Sequence, residues 1–167
     1  MQDIFLFSDT IKDNIAFSNP RASFSEIKRV SKKAQAHSFI KRLDEGYETI
    51  VGERGVGLSG GQKQRVSLAR AMMKNASIFV LDDVTSAVDM ETEKKIQYEL
   101  KNMKEKKTTF IIAHRISSLK QADLILVLDN GEIVERGTHE ELVQKGGYYS
   151  NIFYTQYGNL DIMKGGV

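Results

Sequence analysis

Apolar and polar residues follow two rhythms along this chain, and each switch between them marks an element. Ile4, Phe5, Leu6 and Phe7 make a dense apolar opening, which looks like a start in mid-domain. Residues 8–19 are mixed, with Ile11, Ile15 and Phe17 as scattered anchors, and the only proline, Pro20, marks a boundary. Ile27, Val30 and Ala34 then share one helical face, with Lys28, Arg29, Lys32 and Lys33 on the other. Ser23 and Glu26 have the spacing of a capping box, so a helix is expected from there to about Ile40. Residues 43–57 hold Gly46, Gly52, Gly55, Gly57 and the charged pair Glu53-Arg54, a loop with at most a short strand at 49–51. A second helical stripe, Val66, Ala69 and Met73 widened by Leu68 and Met72, ends near Lys74-Asn75.

Short, continuously apolar runs at 78–81 and 110–113 read as buried parallel strands, the first ending in Asp82-Asp83 and the second in His114. Between them Asp89 can cap a helix with Glu91 and Glu93 in its first turn. Its inner face is Ile96, Leu100 and Met103, and Lys104, Lys106 and Lys107 gather at its negative end. Strand, helix, strand at this spacing is a βαβ unit with an expected right-handed crossover, which places Asp82, Asp83 and His114 along one rim. Apolar runs at 124–128 and 132–134 flank Asp129-Asn130-Gly131, a strong hairpin signal. Thr138 with Glu141 caps a short helix closed by Gly146-Gly147, and the aromatic segment 148–157 is expected to pack as a last helix, frayed past Asn159.

Composition narrows the class. The 167 residues, 41% of them hydrophobic, suffice for one substantial core and leave room for a second small lobe, and the βαβ spacing makes the expected class α/β. A net charge of +2 supplies no global basic field, which disfavours nucleic acid as a partner. Without cysteine there is no disulfide framework and no thiolate metal site, as suits a reducing compartment. No run approaches the ~20 apolar residues that span a bilayer, so membrane association is expected to come through a partner.

The chemistry concentrates in residues 58–65, Leu58-Ser59-Gly60-Gly61-Gln62-Lys63-Gln64-Arg65. Ser59 and Gln62 form a capping box around Gly60 and Gly61, whose backbone is bare. A bare helix mouth with free N–H groups and the positive end of the dipole suits a phosphate; a well-capped surface helix is the other reading of the octet alone. Asp82, Asp83 and His114 fit metallo-nucleotide chemistry at strand ends, where one carboxylate holds Mg²⁺ and its neighbour polarises a water. The other reading there is a strand terminus, a turn and an ordinary histidine. Residues 55–60 match G-x-G-x-x-G, but no buried strand leads directly into them and two carboxylates stand where a dinucleotide fold has one. No G-x-x-x-x-G-K-[ST] occurs, so the chain as given cannot cradle ATP in the P-loop manner by itself.

In this order the motifs resemble the ATP-binding domain of ABC transporters of the exporter type, from residue 2 to about 157. Gln2 resembles the Q-loop glutamine, residues 49–55 the exporter-type loop, and residues 58–62 the LSGGQ signature letter for letter. Residues 78–82 look like the Walker B strand, 86–89 the D-loop and His114 the switch histidine. The resemblance implies a P-loop NTPase-like parallel sheet with flanking helices, incomplete here, plus a helical signature subdomain. The expected segments are 1–22 (Q-loop and connection), 23–75 (helical subdomain ending in the signature helix), 76–160 (later part of the ATPase core) and 161–167 (tail).

By the same resemblance the cofactors are ATP and Mg²⁺. Ser59, Gly60, Gly61 and Gln62, with Asp89, serve ATP held by a second such domain in a head-to-tail dimer. Asp82 holds Mg²⁺ through water, with Gln2 a second metal contact. Asp83, His114 and Gln2 are the catalytic positions, with His114 meeting the γ-phosphate in cis. The attached partner is a transmembrane domain, at the cytoplasmic face of the membrane. Two departures qualify the likeness. The Walker A loop is not in this sequence, which looks like the second portion of the domain, and Asp83 stands where the family usually has the catalytic glutamate, as in the degenerate half of heterodimeric exporters. The isolated chain is therefore expected to be inactive, and to associate through an exposed sheet edge. A non-catalytic interaction module is the alternative.

Overall fold

The computed structural model describes residues 4–52, 57–102 and 107–162, with the backbone only for 159–162. Gln2, Glu53-Arg54 and Gly55, together with Met103, Lys104 and Lys106, lie outside the described residues, as does the tail from 163. The chain forms two compact units, Met1–Ile112 and Ala113–Val167.

In the first unit, α1 (Ile11–Ala16) occupies the segment whose anchors look scattered in the sequence. Thr10 caps it by accepting from the Asp13 N–H, and Ile11 and Ile15, one turn apart, are completely buried. Asn14, also buried, receives the Phe7 N–H at 2.9 Å and donates to the Phe7 and Thr10 carbonyls at 3.0 Å. That amide fixes the entry to α1. The expected strand at 49–51 is reduced to one antiparallel bridge, Thr10 with Ile50.

The helix expected from Ser23 to about Ile40 is two helices, α2 (Phe24–Lys33) and α3 (His37–Ile40). The break is a Schellman end: Gln35 takes φ 56°, its N–H reaches the Lys32 carbonyl at 3.0 Å, and the Ala36 N–H reaches Ser31 at 2.7 Å. A glutamine in the left-handed region is not a residue that announces a helix end. At the other end Ser23 and Glu26 form the full capping box.

Next comes α4 (Gly60–Lys74), with the expected bounds; Asn75 closes it at φ 53°. Val66 and Ala69 are completely buried, and Leu68, Met72 and Met73 nearly so. With Ile27, Val30, Phe39 and Ile40 they form the core against α1, α2 and α3. β1 (Ile78–Asp82) and β2 (Thr108–Ile112) pair in parallel, Ile78 with Thr108 through Asp82 with Ile112, and α5 (Met90–Lys101) connects them with Ile96 fully buried. These strands are not buried on both faces, contrary to the sequence expectation. Phe79 and Leu81 join the core, whereas Ile78, Val80, Phe110 and Ile112 are each more than half exposed. A run apolar at every position needs cover on both faces, and among the described residues only one face has it.

In the second unit, β3 (Ile125–Asp129) and β4 (Glu132–Gly137) form the expected hairpin, with Asn130 and Gly131 at φ 48° and 84°. The capping box of Thr138 and Glu141 starts α6 (His139–Lys145), and α7 (Tyr148–Ile162) runs beyond the point where fraying is expected. Leu142 and Tyr149 pack with Ile116 and Ile125 in this unit's core. Glu135, buried on β4, accepts the Tyr148 and Tyr149 N–H groups at 3.0 and 2.9 Å and so caps α7 from 13 and 14 residues away. Gly147 makes room for that carboxylate, since a Cβ there would overlap Glu135 Oε1. Gly147→Ala is expected to cost about 1–3 kcal/mol by displacing the cap. Denaturant unfolding, with hydrogen exchange at the Tyr148 and Tyr149 amides, measures it; unchanged protection would contradict the role of Glu135.

Candidate functional site

The site begins at the mouth of α4. Ser59 N–H donates to Gln62 Oε1 at 2.9 Å, and the Gln62 N–H donates to Ser59 Oγ at 3.3 Å, completing the capping box expected from sequence. Gly60 and Gly61 occupy the first two helical positions, whose N–H groups have no intrahelical acceptor. Ser59 and Gly60 are exposed. Gly61 is required by close approach of another segment, because a Cβ there would overlap the Ala87 carbonyl oxygen. The mouth thus rests directly on the 83–89 turn.

That turn is shaped by Asp83, which sits in the left-handed region at φ 50° immediately after β1. Its N–H extends the sheet pairing by donating to the Ile112 carbonyl at 2.9 Å. Asp82 at the strand tip is exposed and Asp83 is half-buried. Gln64, one turn inside α4 and buried, reaches across: Nε2 donates to the Asp83 carbonyl at 3.2 Å and to Ser86 Oγ at 3.0 Å, while Oε1 accepts the Ala87 N–H at 3.1 Å. Ser86 Oγ also donates to the Asp83 carbonyl, at 3.1 Å. In the sequence Gln64 stands only as a member of the 58–65 octet and Ser86 only as the first residue of the segment resembling the D-loop; neither is assigned a role of its own there.

Asp89 closes the turn as the cap of α5, accepting from the Thr92 N–H at 2.9 Å and the Thr92 hydroxyl at 2.7 Å. Those bonds, the backbone one first, hold its carboxyl below the usual carboxylate range. Its charge is felt by Arg65, whose guanidinium lies 5.0 Å over the Phe39 ring and is lowered from its ordinary value first by burial, with Asp89 acting in the opposite sense. Asp89 therefore has a structural occupation beside any contact with nucleotide.

His114 belongs to the second unit and is exposed. Gln156 of α7 grips its segment at two points, Nε2 donating to the His114 carbonyl at 2.9 Å and Oε1 accepting the Ile116 N–H at 3.0 Å. The candidate residues thus fall into a mouth-and-turn cluster in one unit and a helix-held histidine in the other.

Among the described residues no cluster of three or more His, Cys, Asp or Glu could cage a metal ion. A lone exposed carboxylate such as Asp82 suits Mg²⁺ only when waters and phosphate oxygens supply the other ligands, which is the common way Mg²⁺ is held. The bare Gly60-Gly61 mouth likewise fits a phosphate approaching from outside the chain. No helix among the described residues is long and apolar enough to cross a membrane.

Comparison with known proteins places this geometry in context. The family model described as ABC transporter matches residues 1–86. The ABC transporter ATP-binding protein YknU of Bacillus subtilis is 56% identical over 163 residues, covering 98% of this chain and 28% of that protein. A second Bacillus subtilis protein, YgaD, bearing the name of a multidrug export ATP-binding/permease protein, is 50% identical over 156 residues, with 93% and 27% covered. The solved structure of a bacterial Atm1-family ABC exporter with ATP bound superposes with a TM-score of 0.86 at 44% identity, over 93% of this chain and 27% of that one. The chain spans little more than a quarter of the length of these relatives.

Proposed function

Because the chain belongs to the ABC transporter family, we propose that it is the later portion of an exporter's ATP-binding domain, coupling ATP binding and hydrolysis to transport across a membrane. The observation that carries this reading is the α4 mouth: a capped helix start with two bare glycines, seated on the turn that bears Asp83. Relatives with export ATP-binding/permease names support the exporter assignment.

In this reading Ser59, Gly60, Gly61 and Gln62 present their mouth to the γ-phosphate of ATP held by a second ATP-binding domain, in a head-to-tail homodimer or heterodimer. Hydrogen bonds from bare N–H groups and the helix dipole stabilise the charge that gathers on the phosphate. Asp82 would hold Mg²⁺ through water, and Mg²⁺ when bound neutralises phosphate charge. Asp83 orients and polarises the attacking water, and His114, with Gln156 fixing its backbone, contacts the phosphate held in cis. Gln2 joins the metal and water. The partners are the second ATP-binding domain and a transmembrane domain, with the segment on the cytoplasmic face. The exposed apolar face of β1 and β2 is where the rest of the ATPase core packs.

A second reading, a subunit that lends its signature to a partner while turning over little ATP itself, is favoured by Asp83, one methylene shorter than glutamate. Both readings give the same result for the isolated chain: purified 167-residue protein with MgATP releases no phosphate above the blank. Robust turnover by the isolated chain would contradict the need for a partner domain.

A further inference from the structure

We propose that Gln64 is a positioning residue that sets the orientation of Asp83 and locks it in register with the phosphate-facing mouth of α4. This rests on the function proposed above, and it assigns a role to a side chain that the signature itself does not include. Both donors and the acceptor of its buried amide go to the 83–87 turn, at the Asp83 carbonyl, Ser86 Oγ and the Ala87 N–H. The Asp83 carbonyl receives Gln64 Nε2 at 3.2 Å, Ser86 Oγ at 3.1 Å and the Ser86 N–H at 3.3 Å. A non-glycine residue stays at positive φ only where its surroundings over-determine it, and here they do.

The consequence is geometric. Gln64 lies on the same rigid helix as Gly60 and Gly61, while Gly61 leaves no gap to Ala87. The mouth and the carboxylate turn are therefore joined twice, by a close backbone approach and by a three-bond side-chain clamp. In a head-to-tail dimer one chain's mouth serves the partner's ATP and its Asp83 serves its own. Gln64 is then the side chain through which seating of the mouth sets the carboxylate of the other site.

The test uses the complete exporter that contains this segment. Gln64→Met keeps the volume and removes all three bonds. Its kcat is expected to fall about tenfold with KM for ATP within about twofold, the pattern of a group displaced by less than 1 Å, and with the melting transition preserved. On an Asp83→Asn background the same change is expected to lower the rate no further, because the two residues act as a unit. A folded Gln64→Met variant with wild-type kcat, a loss that merely tracks the folded fraction, or full additivity with Asp83→Asn would overturn the proposal. If Gln64→Met does not fold, Ser86→Ala, which removes one partner of the clamp, decides on the same split between kcat and KM. Ser59→Arg run in parallel separates the two levels: full activity there brings down the trans reading itself, whereas its loss beside a wild-type Gln64→Met kcat brings down only the positioning role.

Discussion

Ser59→Arg in the complete exporter is expected to lower ATP hydrolysis by at least about 100-fold, the scale of losing one preorganised donor set at a developing oxyanion. Ser59 is exposed and its hydroxyl holds the Gln62 N–H. Arginine removes that cap, at about 1 kcal/mol, and lays a long side chain across the N–H groups of Gly60 and Gly61. Ser59→Asp separates these effects. Aspartate caps as well as serine and suits the positive end of the helix, so stability holds, yet its charge repels phosphate. Loss of turnover in both variants, with melting preserved in Ser59→Asp, is the expected result. Turnover indifferent to both would remove the mouth from the chemistry.

Asp83→Glu is expected to raise turnover by up to about 100-fold, since returning one methylene corrects a misplacement of about 1 Å. The same change is expected to destabilise the first unit by about 1 kcal/mol. Asp83 sits at φ 50°, a region that aspartate enters more readily than glutamate. A faster and less stable variant is a paired outcome that few substitutions give. Asp83→Asn keeps the backbone preference and lowers the rate. If Asp83→Glu leaves turnover unchanged, the second reading gains, in which this subunit lends its signature and hydrolyses little. Steady-state hydrolysis and a denaturation curve on each variant decide it.

The caps and the turn that could be read from the sequence share one property: their partners are close in the chain. The capping boxes of Ser23, Ser59 and Thr138 each close over three residues, and the Asn130-Gly131 turn is local by nature. The parallel pairing of β1 with β2 follows from two apolar runs at βαβ spacing. Helix α1 escapes notice because six residues give the periodicity one repeat, Ile11 to Ile15. The split at Gln35 escapes because its signal is a backbone conformation and not a residue type.

The same division runs through the site. The mouth, Asp82, Asp83, Asp89 and His114 stand at motif spacings and so could be named as candidates. The residues that hold them could not. Gln64 acts 19 to 23 positions away, and Gln156 reaches 40 and 42 positions back to Ile116 and His114. Half-exposed β1 and β2 differ from expectation for a related reason: an apolar run reports that both faces want cover, not which chain segment provides it.

In the arrangement proposed above, the mouth of α4 works on nucleotide held by another domain. A mixed dimer of the complete exporter tests it with two substitutions, Ser59→Arg here and loss of the phosphate-binding lysine in the part of the domain outside this chain. If the mouth acts in trans, placing both substitutions on one subunit disables both ATP sites, while dividing them between subunits leaves one site whole and about half the turnover. The reverse pattern, activity surviving only when both substitutions share a subunit, would contradict it.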